Sequence, residues 1–122
     1  EVLNSPSILF AGMEGSQVPI VASHGEGRAV FDNVDDQTKV LSALRYVDNK
    51  GEPTEVYPYN PNGSPDGLTA VTTADGRFTI MMPHPERSIY PWNWAYYPAE
   101  RASDAVSPWL RMFIDARRFC MQ

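Results

Sequence analysis

A histidine and a glutamate stand two residues apart at the end of an apolar run, Met81-Met82-Pro83-His84-Pro85-Glu86-Arg87. A carboxylate that accepts the Nδ1 proton of a histidine orients the ring and leaves Nε2 free to take a proton from a nucleophile. In extended backbone, residues i and i+2 project to the same side. Pro85 fixes the geometry between the two and keeps His84 out of the α region. Strand ends are also where open α/β sheets place their sites. His84 and Glu86 are therefore candidates for a base and its orienting carboxylate. The same residues read equally as a solvated histidine in a proline-rich turn. Arg87 either binds an acidic neighbour or is solvated, and the sequence does not decide.

A second segment, Ser23-His24-Gly25-Glu26-Gly27-Arg28, follows the apolar Ile20-Val21-Ala22. Its glycines let backbone amides approach a ligand closely. It is neither a dinucleotide fingerprint, because Val30 sits where the third glycine belongs, nor a P-loop, which needs Gly-Lys-Ser/Thr. An ordinary β-turn is the plainer reading. His24, His84 and Cys120 lack metal-ligand spacing, so no metal site is expected.

The elements that must position these residues are short. Ser7–Gly12, Val18–Ala22 and Ala29–Phe31 read as strands, with Gly15-Ser16 as a turn between the first two. Residues 32–40 suit a loop or short helix. Leu41–Val47 reads as a strand that returns through Asp48–Gly51 to Glu55–Tyr57 as a hairpin. Asn60–Gly67 is rich in Pro, Asn, Asp and Gly, each with its own turn preference, and predicts a structured loop. Leu68–Thr73 and Arg77–Met82 flank Ala74-Asp75-Gly76, a strong hairpin signal. Ser107 and Pro108 open a closing helix, on which Trp109, Met112, Phe113, Ala116, Phe119 and Cys120 recur at helical spacing. Cys120 on that face reads as a small buried hydrophobe rather than a nucleophile. Tyr90, Trp92, Trp94, Tyr96 and Tyr97 read as packing of an irregular segment or, alternatively, as an interface.

Composition narrows the function classes. The 122 residues suit one domain. Ten basic against 15 acidic residues give a net charge of −5, which argues against nucleic-acid binding. Apolar residues at 43% supply a core. No apolar run approaches the roughly 18 residues of a membrane span. The opening Glu1-Val2-Leu3-Asn4 is not a signal peptide and reads as cut from something longer. A single cysteine excludes an intrachain disulfide and suits a reducing compartment.

Taken in order, Ser23–Arg28, Ala43–Asn49, Tyr59–Pro65 and Met81–Arg87 resemble the C-terminal end of the formylglycinamide ribonucleotide amidotransferase family, among the class I glutamine amidotransferases. Pro108–Phe113 is similar as well, and residues 88–106 match least. The resemblance implies an α/β fold, a three-layer sandwich of which residues 1–122 supply the C-terminal part as β-hairpins and a final helix. It implies a Cys-His-Glu triad with His84 as general base and Glu86 as orienter, and backbone contacts to glutamine at Gly25 and Glu26. It implies no cofactor in this chain, with ATP and Mg in the synthetase part of a cytoplasmic ligase of purine biosynthesis. The partners implied are glutamine and the remainder of that polypeptide.

The family's nucleophile lies in a Gly-Cys-Asn-Gly-Cys-Gln-like segment, and nothing here matches it. The chain alone is accordingly expected to be inactive, with an unprotected sheet edge, marginal stability or self-association. The alternative is a non-catalytic half-domain that binds or regulates a synthetase.

Overall fold

The computed structural model describes residues 1–23 and 27–122. Its centre is a three-stranded antiparallel sheet of β1 (Leu41–Arg45), β2 (Leu68–Thr72) and β3 (Thr79–Met81), in the order β1-β2-β3. Two helices, α1 (Val34–Thr38) and α2 (Leu110–Cys120), accompany it, so the chain is α/β as expected.

The Asp75-Gly76 hairpin forms as its sequence predicts. Ala70, Val71 and Thr72 face Met81, Ile80 and Thr79 across it. Thr73 donates to the Phe78 carbonyl at 3.0 Å and Gly76 to the Thr73 carbonyl at 2.9 Å. Gly76 has φ +70°, and a Cβ there would strike the backbone of Pro6. Only glycine meets both demands.

On the other side, β1 pairs with β2 through a ladder with register shifts at Leu44. Residues 1–3 partly cover its outer edge: Leu3 donates to the Ala43 carbonyl at 2.9 Å, and Val2 bridges Leu44. Among the described residues no strand pairs with the outer edge of β3. Ile80 and Phe78 there are 72% and 70% exposed.

Val2, Phe10, Met13, Ala43, Leu44, Ala70, Trp109 and Met112 form the core. α2 lies against a 3-10 turn at Ile8–Phe10. Its entry differs from expectation: the helix begins at Leu110 behind Trp109, and Pro108 lies in the turn before it rather than at the first helical position. The Ser107 Oγ accepts from the Trp109 N–H at 3.2 Å, and the Ser107 carbonyl accepts from Leu110 at 3.2 Å.

Several expected strands are absent. Ser7–Gly12 contains the 3-10 turn instead, since a short apolar run carries too few residues to distinguish a strand from a buried turn. Val18–Ala22 makes no ladder, because its carbonyls serve single donors. Trp109 Nε1 donates to Pro19 at 2.7 Å and the His84 N–H to Val21 at 2.7 Å. Ala29–Phe31 faces β2 and β3 across a cavity of about 300 Å³ rather than joining them. The Asp48–Gly51 turn is present, but its return arm only bridges Val47 and Pro53, with Asp48 donating to the Glu52 carbonyl at 2.9 Å and Thr54 to that of Tyr46 at 3.2 Å. The ladder stops there because the Tyr46 N–H goes to the Gly67 carbonyl and the Val56 N–H to Thr54 Oγ1. Residues 32–40 hold α1, with Asn33 Oδ1 accepting from the Asp36 N–H at 2.9 Å.

The apolar face of α2 also differs from expectation. Trp109 and Met112 are buried, whereas Phe113 and Phe119 are 40% and 42% exposed and Cys120 is exposed rather than buried. The last turns run past the core, so helical periodicity alone overstates the buried face. A charged residue takes part of that face instead. Asp115, 6% exposed, accepts from Arg111 Nε at 2.8 Å on both oxygens and from Arg118 at 3.3 Å.

Candidate functional site

β3 hands the chain directly to the histidine. Met82 still donates to the Thr69 carbonyl at 3.0 Å, Pro83 is buried, and His84 then donates to Val21. His84 has φ −115° and ψ 80°, outside the α region, as the following proline requires. Pro85 is buried and opens a 3-10 turn at Pro85–Arg87. Its fixed φ suits the first position of a helical turn, where the missing N–H costs nothing. Arg87 donates to the His84 carbonyl at 3.1 Å and Ser88 to that of Pro85 at 2.9 Å.

The turn brings the two candidate residues together. His84 Nδ1 lies 2.7 Å from Glu86 Oε1. The two were expected to share one side of an extended segment; they meet instead across the start of a 3-10 turn. The difference comes from Pro85, which bends the chain where a strand would have continued.

Burial pushes the Glu86 carboxyl up, but the hydrogen bond from His84 and the local backbone N–H outweigh it and hold the group below its ordinary value. An ionised carboxylate only accepts, so Nδ1 carries the shared proton and a neutral ring keeps its lone pair on Nε2. The imidazole is about one-third exposed and the carboxylate about half. The arrangement can therefore take a proton at Nε2 while the ring is held at Nδ1.

Gly25 and Glu26, the expected backbone contacts, lie outside the described residues together with His24. Both flanks of that segment are tied down. Arg87 Nη1 donates to Ser23 Oγ at 2.9 Å. Asn62 Nδ2 donates to the Gly27 carbonyl, so the Asn60–Gly67 loop holds more than its own shape. Neither tie was legible in the sequence, since the partners stand 64 and 35 residues apart.

The aromatic segment divides. Trp94 packs against the core and donates to the Ser88 carbonyl at 2.9 Å, which braces the turn after Glu86. Tyr90 and Trp92 stack at 4.3 Å on the surface. The packing reading of the segment holds at Trp94.

Among the described residues no group of three His, Cys, Asp or Glu could hold a metal ion. Nor is any helix among them long and apolar enough to cross a membrane.

Residues 1–120 match the family model of the CobB/CobQ-like glutamine amidotransferase domain. The match takes in both the His84–Glu86 pair and the segment tied to it. The chain belongs to the CobB/CobQ-like glutamine amidotransferase domain family.

Proposed function

We propose that this chain is the C-terminal part of the glutaminase domain of an ATP-dependent ligase that makes formylglycinamidine ribonucleotide in purine biosynthesis. The observation that carries the reading is the 2.7 Å contact between His84 Nδ1 and Glu86 Oε1 at a strand end, in a chain of the amidotransferase family. Support for the particular ligase comes from the run of segments Ser23–Arg28, Ala43–Asn49, Tyr59–Pro65 and Met81–Arg87.

In this reading a cysteine thiol from a segment that this sequence does not contain gives its proton to His84 Nε2. The thiolate attacks the side-chain carboxamide carbon of glutamine. The imidazolium, held by Glu86, returns the proton to the departing ammonia. Water, deprotonated by the same Nε2, then cleaves the thioester to glutamate. Backbone at Gly25 and Glu26 holds the glutamine. The ammonia passes to a synthetase site in the rest of the polypeptide, which would hold ATP and Mg to supply activation of the formyl amide oxygen of the nucleotide. The working enzyme is cytoplasmic, and this chain alone is inactive and binds no cofactor.

The test is ammonia release from glutamine by the intact enzyme. His84→Asn should lower kcat by about 10³-fold or more, as loss of a triad base does. Activity within tenfold of the parent in that variant would defeat the reading and leave the non-catalytic half-domain in its place.

A further inference from the structure

Arg87 is the residue that the sequence left open, and the structure gives it two partners. Its Nη1 donates to Ser23 Oγ at 2.9 Å, and its Nε lies 4.0 Å from Glu86 Oε1. We propose that Arg87 is a positioning residue that clasps the segment leading into residues 24–26 to the turn carrying His84 and Glu86. The proposal rests on the glutaminase reading above for its kinetic consequence, but not for the clasp itself.

The energy of the clasp is small. The Arg87 side chain is 56% exposed and that of Glu86 51%, so solvent screens the charge pair. Its value is geometric. A guanidinium presents donors along two edges of one rigid plane, so it can bond Ser23 while facing Glu86. An ammonium on a flexible stem does not fix both at once.

The segment is thus held at two points. Val21 is tied by backbone to His84 at 2.7 Å, and Ser23 by side chain to Arg87. Losing the arginine leaves the backbone tie intact, so the fold persists while Ser23 loses its side-chain anchor. Where Gly25 and Glu26 bind glutamine through backbone, that loss weakens substrate binding more than proton transfer at His84.

Two measurements decide it. In the intact amidotransferase, Arg87→Met should speed hydrogen exchange of the His84 amide, whose acceptor Val21 stands next to the clasped segment, by about fivefold or more, with exchange in β2 unchanged. In the intact amidotransferase, Arg87→Met and Ser23→Ala should each raise the KM for glutamine by about five- to tenfold with kcat within about twofold. The double variant should be no worse than either single one, because both remove the same bond. Arg87→Lys should not restore KM. Unchanged exchange overturns the clasp whatever the kinetics. Changed exchange with unaltered KM, while His84→Asn abolishes hydrolysis, overturns its role in binding glutamine. If His84→Asn leaves hydrolysis intact, it is the glutaminase reading that fails, and exchange alone then decides the clasp.

Discussion

Glu86 Oε1 receives the Nδ1 proton of His84 at 2.7 Å across a turn begun by Pro85. The proton is thereby fixed on the nitrogen that faces the carboxylate. Against the upward push of burial, the hydrogen bond from His84 and the local backbone N–H hold the Glu86 carboxyl below the ordinary 4.5 of a glutamate. A depressed carboxylate contributes stability that is present above its unfolded pKa and is lost as pH falls through the folded one. The pair should therefore persist at pH 5 and loosen only below about 4.5. A carbon-13 NMR titration of the Glu86 carboxyl should give a midpoint under 4.5. His84→Asn should move it upward, and a wild-type midpoint at or above that value would contradict the geometry.

Asn60 is 2% exposed and replaces several backbone partners in its loop. Its Nδ2 donates to the carbonyls of Thr54 at 2.9 Å and Ser64 at 3.0 Å, while Oδ1 accepts from the Ser64 N–H at 3.2 Å. Oδ1 also accepts from the Asn62 N–H at 3.3 Å, so Asn60→Ala strips four bonds and leaves the Thr54 and Ser64 carbonyls without their amide donor. It should cost about 2–3 kcal/mol, read from a urea unfolding midpoint. A cost under about 0.5 kcal/mol would mean that water replaces the amide without penalty.

The outer edge of β3 presents Phe78 and Ile80 to solvent, 70% and 72% exposed. Unpaired edges with apolar side chains template association, and an edge lysine is the usual deterrent. Sedimentation of the 122-residue chain should shift to larger species as concentration rises, and Ile80→Lys should suppress the shift. A monomer at every concentration would show that this edge does not self-pair.

The parts legible in the sequence were those whose physics is local. Asp75-Gly76 gave the hairpin because its turn needs a positive φ within a few residues. Ser107-Pro108 marked the approach to α2 for the same kind of reason, though the helix itself begins at Leu110. His84 and Glu86 were legible as a pair, although the turn joining them was not. What failed depended on distant partners. Val18–Ala22 has strand-like residues, yet its carbonyls go to Trp109 and His84, 90 and 63 positions away from their acceptors Pro19 and Val21. Arg87 was open between an acidic neighbour and solvent, and its bond to Ser23 belonged to neither reading. Cys120 fits a helical apolar stripe, but the stripe outlasts the core that would have buried it. Asp115 broke the pattern in the other direction, since a charge can be buried where two arginines reach it.

Val21 serves His84 through its carbonyl oxygen, Pro19 serves Trp109 in the same way, and Ser88 serves Trp94 likewise. Every amino acid carries that oxygen. Positions 19, 21 and 88 can therefore change identity over evolutionary time without surrendering the bonds they accept, while the indole donors of Trp109 and Trp94 cannot; His84 gives to Val21 from its backbone N–H. Comparing sequences at the acceptors would understate their part in holding the site, for what is inherited there is the path of the chain.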